Sequence, residues 1–114
     1  SAVFFAGDYL YLVRRIENSG ADYQRIQLGS TSGQALAQLP LLPIGVVTHG
    51  DFAYFQSFSD TADRLYRMPL AGGPITPIAT FKNSDLGGYA FSGDALYATL
   101  QLGSRMVFVS VALP

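Results

Sequence analysis

The acidic side chains in the polar segments of this chain are the residues whose types suit chemistry. Most of the charge lies in "RRIENSGAD" at 14–22, "SFSDTADR" at 57–64 and "KNSD" at 82–85. Five carboxylates in or beside these segments form the candidate site: Glu17, Asp22, Asp60, Asp63 and Asp85. Carboxylate oxygens suit a hard cation such as Ca²⁺, and two carboxylates together could act in acid–base catalysis. The competing interpretation is that charges simply collect in exposed polar loops.

Two other polar features have structural explanations that compete with chemistry. His49 is the only histidine, and a neutral imidazole could act as a base or a metal ligand. No partner that would orient its ring is visible in the sequence, so a polar residue at a hairpin end is the favoured interpretation. Asp8, Asp51 and Asp94 each follow a glycine at a regular interval, so turn formation accounts for them.

The composition is that of one globular domain. The chain has 114 residues, of which 49% are hydrophobic and 13% charged. A net charge of −1 without a Lys/Arg cluster argues against a nucleic-acid partner. The absence of cysteine excludes disulfides, zinc thiolates and thiol nucleophiles. The longest apolar run, "LPLLPIGVV" at 39–47, is too short to span a bilayer, so no membrane span is predicted.

A regular period runs through the sequence. Glycines at 7, 50 and 93 are spaced 43 residues apart, each followed by Asp and, three positions after the Asp, by Tyr. A second element, "DYQRIQL" at 22–28, returns as "RLYRMPL" at 64–70 and "VFVSVAL" at 107–113. Its closing leucines are 42 and then 43 residues apart. A period of this length is typical of a repeat architecture.

Each period predicts four short strands, A to D. We place strand A at 2–6, 45–49 and 88–92, strand B at 9–14, 52–58 and 95–101, strand C at 22–28, 64–70 and 106–113, and strand D at 34–39 and 75–81. The Gly-Asp pair between A and B suits a tight hairpin, because glycine tolerates positive φ. "SGQALAQL" at 32–39 is assigned as a strand rather than a helix because its counterpart "GPITPIATF" contains two prolines. "YLYLV" is apolar throughout, which indicates a strand covered on both faces.

This arrangement resembles a known family. The Gly-Asp turn with Tyr early in strand B, followed by "LYRMPLAGG", resembles six-bladed β-propellers of the YWTD type found in low-density-lipoprotein-receptor proteins. It resembles still more the related bacterial propeller repeats that carry a "GD-x-LY" turn and an "R-x-x-L-x-GG" segment. The YWTD signature itself is reduced to its Tyr in "YLVR", "YFQS" and "YATL".

The resemblance predicts an all-β, partial β-propeller of about three blades of four antiparallel strands, the last blade lacking its outer strand. The whole of 1–114 forms one repeat domain, with units of about 1–43, 44–86 and 87–114. Tyr11, Tyr54 and Tyr97 are expected to be buried between neighbouring sheets. The first blade, "VFFAGDYLYLV", and the last, with strand C "RMVFVSVAL", are expected to present uncovered apolar faces and an open edge.

The predicted function is a non-catalytic scaffold or binding module. Its ring is completed by self-association, in which a two-fold dimer gives about six blades, or by the rest of a longer chain. In a propeller the loops that carry the five acids emerge on one face, opposite the Gly-Asp turns. A protein or small ligand is expected at this loop face, with no cofactor other than Ca²⁺ there. The alternative is a propeller-type hydrolase or lyase with a metal-bearing central site, although the presence of only one histidine argues against it. A third possibility, a sugar-binding propeller, would need exposed aromatic side chains. The resemblance favours an extracytoplasmic location.

Overall fold

The computed structural model describes residues 2–16, 20–39, 43–58, 62–82 and 85–114. In these ranges the chain forms strands and no helix. They are β1 (Ala2–Ala6), β2 (Tyr9–Ile16), β3 (Gly20–Gln27), β4 (Gln34–Leu39), β5 (Ile44–His49), β6 (Phe52–Phe58), β7 (Ala62–Pro69), β8 (Thr76–Lys82), β9 (Asp85–Ser92), β10 (Ala95–Leu102) and β11 (Arg105–Ala112). A search of these residues finds no helix able to cross a membrane.

The strands form three antiparallel sheets. The first has the order β1-β2-β3-β4, the second β5-β6-β7-β8, and the third β9-β10-β11. The all-β prediction is therefore confirmed, including the four, four and three strands per sheet. Residues 34–39 form a strand, as the comparison with the proline-containing segment predicted. In the part of the chain that the structure describes, β11 pairs only with β10 and is an edge strand.

The Gly-Asp turns have the same geometry in all three sheets. Gly7, Gly50 and Gly93 have φ of 57°, 59° and 58°, a conformation that glycine adopts without a steric penalty. The carbonyl oxygen of the following Asp then accepts a hydrogen bond from a leucine amide, at 2.8 to 2.9 Å. The three pairs are Leu28 to Asp8, Leu70 to Asp51 and Leu113 to Asp94. The turn prediction is confirmed, and each turn is fastened to the end of the third strand of its sheet.

The register of the second and third strands is also the same in the three sheets. Tyr11 lies opposite Arg25, Tyr54 opposite Arg67, and Tyr97 opposite Ser110. Two positions further along, Tyr23, Leu65 and Phe108 occupy the same place in their sheets. We call residues that share a place in this register, or the same distance from the Gly-Asp turn, corresponding positions.

The middle sheet is covered on both faces. One hydrophobic core lies between the first and second sheets, and its buried residues are Tyr11, Val13, Ala21, Tyr23, Leu39, Phe55 and Met68. The other lies between the second and third sheets, and its buried residues are Leu65, Leu86, Leu96, Ala98 and Leu100. Because side chains alternate along a strand, neighbouring residues of β6 and β7 serve opposite cores.

The burial predicted for the three tyrosines is correct for two of them. Tyr11 is 2% exposed and Tyr54 is 1% exposed, and both lie between sheets. The prediction is wrong for Tyr97, which is 52% exposed. Tyr97 points from the face of the third sheet that no other described sheet covers, whereas Leu96 and Ala98 beside it point into the core. Its strand position is as predicted, but no described sheet lies on that side of it.

Candidate functional site

Three of the five predicted acids lie in the described part of the chain. Asp22 is in β3 and Asp63 is in β7, while Asp85 begins β9. Glu17 and Asp60 lie outside the described residues. Asp22 Oδ2 accepts a hydrogen bond from Arg14 Nη2 at 3.0 Å and forms an ion pair with it. This pair spans β2 and β3, so it supports the pairing of two strands.

Asp63 is buried and has a different role from a loop carboxylate. Its side chain is 7% exposed, and Oδ2 accepts a hydrogen bond of 2.7 Å from the amide of Leu86. The bond joins β7 of the second sheet to β9 of the third. Asp85, next to Leu86, is exposed. Among the residues that the structure describes, no three His, Asp or Glu side chains gather as a metal site.

His49 lies at the contact between the second and third sheets. Its ring stacks on Phe91 with the centroids 4.5 Å apart and the planes 7° from parallel. Its Nε2 lies 3.3 Å from the carbonyl oxygen of Gly93, to which it donates when that nitrogen carries the proton. The ring therefore helps to fasten β5 to the Gly-Asp turn of the next sheet, in agreement with the structural interpretation of this residue.

Two tyrosine hydroxyls, those of the buried Tyr23 and the half-buried Tyr89, also connect neighbouring sheets. Tyr23 donates to the carbonyl oxygen of Leu70 at 3.1 Å, and burial raises its pKa well above the usual range, with Tyr11 adding to the effect and Arg25 opposing it. Tyr89 donates to the carbonyl oxygen of Gly45 at 2.6 Å, and burial raises its pKa to about 12. Both hydroxyls are therefore protonated at neutral pH and act as donors between sheets.

Two arginines at corresponding positions lie over aromatic rings of the neighbouring strand. The Arg25 guanidinium is 4.1 Å from the centroid of Tyr9, and the Arg67 guanidinium is 4.0 Å from that of Phe52. Such contacts are favourable because the ring face is negative. Ser110 takes the corresponding position in the third sheet. The two arginines thus support their own sheets and are engaged in contacts within the fold.

The clearest unexplained surfaces are the outer faces of the first and third sheets. The first sheet exposes Val3, Phe5 and Leu28, which are 61%, 66% and 56% exposed. We call this the first face. The third sheet exposes Tyr97, Met106 and Phe108, which are 52%, 63% and 84% exposed. We call this the last face. The sequence had indicated uncovered faces at both ends, from the apolar runs in its first and last units.

Two open depressions mark the surface. One, of about 340 Å³, lies on the last face, between Tyr97 and Phe108 and above Gly88 and Ala90. Its lining is mostly apolar. The other, of about 330 Å³, lies where the register of β3 and β4 shifts between Tyr23 and Gln24. Asp22 contributes to its wall, so of the predicted acids in the described residues this one borders a concave surface.

Comparisons with protein-family models, with curated proteins and with solved structures find no match to this chain. The three sheets enclose two cores, in which Tyr23, Asp63 and Tyr89 bond to backbone groups of the neighbouring sheet, and two apolar faces remain open.

Proposed function

We propose that this chain is a non-catalytic scaffold of the β-propeller type. In this proposal the three sheets are blades of an internal repeat, and further sheets complete the ring, either from another copy or from a longer parent chain. Three observations support it: the shared strand register, the shared Gly-Asp turn geometry, and the face-to-face packing of successive sheets. Propellers avoid open sheet faces because the ring closes on itself.

The difference in burial at corresponding positions carries the proposal. Phe108 is 84% exposed, whereas Tyr23 and Leu65 at the corresponding positions are both 0% exposed. Tyr97 differs in the same way from Tyr11 and Tyr54. A position that is buried between sheets twice and open the third time is what a missing neighbouring sheet would leave. Large exposed apolar side chains in a cluster are typical of an interaction surface.

The edge of the third sheet supports the same proposal. The strands that correspond to β11 are β3 and β7, and each pairs with a fourth strand, through residues 21–25 in β3 and 62–67 in β7. The corresponding stretch of β11 is 105–110, which is open in the described residues. Unpaired strand edges are templates for β-augmentation. We therefore expect a strand from another segment to pair there.

The polar groups favour a scaffold over a metal-dependent hydrolase or lyase. His49 is used in stacking on Phe91, and Asp63 is used in a backbone hydrogen bond between sheets. Both are held by the fold and not aimed into a shared cavity. The proposal also includes a protein or small ligand at the loop face that carries the exposed Asp85. Ca²⁺ is the cation that the carboxylates of that face would suit.

A tandem protein of two copies tests the blade proposal. In it, Leu113 of the first copy is followed by a copy of residues 71–87 and then by Ala2 of the second copy. The inserted segment contains β8, so it supplies the fourth strand that the third sheet lacks. We expect one cooperative unfolding transition at a higher urea concentration than for the single chain at a dilution that keeps it monomeric, because the junction covers Tyr97 and Phe108.

The matched control is the same tandem with Tyr97→Arg in its first copy. A charge buried at the junction without a partner should prevent the gain in stability. If the unmodified tandem unfolds at the same urea concentration as the single chain, its halves do not stack and the blade proposal is wrong.

A further inference from the structure

We propose that a second copy of this chain covers both open faces, so that the last face of one copy packs on the first face of the other. This inference rests on the proposed function, because it requires the sheets to stack as blades. It goes further by naming the occupant and the residues in contact. Corresponding positions in the neighbouring sheets show which residues each open face contacts when another sheet covers it.

Most residues of the first face have counterparts that pack on a preceding sheet, the exception being Thr48, which takes the position of Phe5 in the middle sheet and is exposed. Phe5 lies two positions before its Gly-Asp turn, as Phe91 does in the third sheet, and Phe91 packs in the core between the second and third sheets. Leu28 corresponds to Leu70, which packs in the core between the first and second sheets, and to Leu113, which packs in the core between the second and third sheets. Leu28 and Phe5 are exposed because no described sheet precedes the first.

The last face consists of residues whose counterparts pack on a following sheet. Tyr97 corresponds to Tyr54, which lies beneath Phe91 of the next sheet. Met106 corresponds to Asp63, which is 7% exposed and bonded to Leu86 of the next sheet. The first and last faces are therefore the two halves of an interface that this chain already forms twice internally.

The internal contacts name the contacts expected between two copies. The rings of Tyr54 and Phe91 have their centroids 4.5 Å apart across the second and third sheets. The corresponding pair across a junction is Tyr97 of one copy with Phe5 of the other. Tyr23 likewise contacts Leu70 across the first and second sheets. The corresponding pair is Phe108 of one copy with Leu28 of the other, an apolar contact because Phe108 has no hydroxyl.

Two copies can satisfy both faces at once. Each chain carries one first face and one last face, so a pair related by a two-fold axis through the centre of the ring forms two identical contacts and leaves neither face open. The edge of β11 stays available in this pair, because the described strands of each copy all lie in its own sheets. The result has six sheets, within the range of blade numbers that close a propeller. The chain's net charge of −1 gives little repulsion between copies.

Charge substitutions on the full chain test this arrangement by analytical ultracentrifugation. We expect the wild-type chain to sediment as a dimer. Tyr97→Arg alone, or Phe5→Glu alone, should raise the dimer Kd by roughly a hundredfold or more, because each buries a charge without a partner in both junctions. The matched control is Ala71→Arg, in an exposed turn of the middle sheet, which should leave the dimer unchanged.

Mixing the two variants separates a head-to-tail pair from other dimers. In a mixed pair, one junction brings the introduced arginine and glutamate together and the other junction is wild type. We therefore expect the mixture to recover dimer that neither variant forms alone. If the mixture remains monomeric although circular dichroism shows that both variants are folded, the head-to-tail arrangement is wrong.

Cysteine cross-linking gives an independent measurement if the charge variants do not fold. The chain has no cysteine, so introduced thiols are the only ones present. With a short bismaleimide, a mixture of Phe5→Cys and Tyr97→Cys chains should give a covalent dimer, whereas either variant alone should not. Cross-linking of Tyr97→Cys to itself would overturn the proposal in favour of a face-to-face dimer.

The result also separates this inference from the blade proposal. If the wild-type chain stays monomeric at about 100 µM, the dimer Kd lies well above that concentration. That result overturns the second copy as the occupant. If the tandem protein nevertheless gains stability, the blades stack and further repeats of a longer chain are the occupant. If the tandem gains nothing, both proposals fail together.

Discussion

Tyr89 shows how one residue links two sheets by a polar contact inside an apolar interface. Its ring packs in the core between the second and third sheets, and its hydroxyl donates to the carbonyl oxygen of Gly45 at 2.6 Å. The same hydroxyl lies 3.3 Å from the carbonyl oxygen of Tyr54. Burial disfavours the tyrosinate, which raises the pKa of Tyr89 from 10.0 to about 12. The hydroxyl can hold the two sheets together only while it keeps its proton.

This pKa predicts a loss of stability in alkaline solution. The unfolded chain releases the Tyr89 proton near pH 10 and the folded chain near pH 12, so the folded state binds more protons between these values. The free energy of unfolding should therefore be unaffected by Tyr89 below about pH 10, fall as the pH rises to about 12, and level off above it. Urea unfolding across this range should show a shallower fall for Tyr89→Phe than for wild type, and equal slopes would contradict the assignment.

At the scale of the strand, Asp63 fastens β7 to β9. Its carboxylate accepts the amide hydrogen bond of Leu86 at 2.7 Å in a buried setting, so it satisfies a backbone group at the start of the third sheet.

The strands themselves are set by local features. Gly7, Gly50 and Gly93 reverse the chain at positive φ, and the bond from the leucine amide to the Asp carbonyl fixes the third strand beside each turn.

Removing this carboxylate should weaken the contact between the second and third sheets. Asp63→Ala leaves the Leu86 amide without a partner and should lower the free energy of unfolding by about 1–3 kcal/mol. Asp63→Asn keeps an oxygen acceptor and should cost less. The matched control is Asp22→Ala, which removes a partly exposed ion pair with Arg14 and should cost about 1 kcal/mol or less. Equal losses for Asp63→Ala and Asp22→Ala in urea unfolding would argue against the role of Asp63.

At the scale of the whole molecule, burial depends on how many sheets surround a residue. Tyr54 and Tyr97 occupy corresponding positions, because each lies in the second strand of its sheet, three residues after the Asp of its own Gly-Asp turn. Tyr54 is 1% exposed because the third sheet covers it, and Tyr97 is 52% exposed because no described sheet does. The stability of each sheet therefore depends on the sheets that pack against it.

This contrast gives a paired prediction for the two tyrosines. Tyr54→Ala should lower the free energy of unfolding by about 3–5 kcal/mol, because it removes a buried ring and its contact with Phe91. Tyr97→Ala should cost less than about 1 kcal/mol in solution dilute enough to keep the chain monomeric, since its ring is already half in water. Urea unfolding at that dilution measures both, and similar losses would show that the third sheet is already covered.

The sequence by itself determined the strands, their turns and their period. Apolar runs broken by Gly-Asp at intervals of 43 predicted the positions of the strands, and the prolines of "GPITPIATF" identified 34–39 as a strand. These features are local, so they could be predicted without knowing the neighbours of a sheet. The proposed site was harder to predict, because the acids were grouped by loop position alone.

Only the tertiary structure decided which residues meet between sheets. The bond of Asp63 to Leu86, the stacking of His49 on Phe91 and the exposure of Tyr97 all depend on which sheet lies next to which. Asp63 was predicted as a loop ligand because its charge gave no indication that the Leu86 amide lies 2.7 Å away. Contacts of this kind join residues 23 or more positions apart, and no local pattern of polarity encodes them. Burial is a property of two surfaces, and a sequence shows the pattern of each strand but not the surface that comes to cover it.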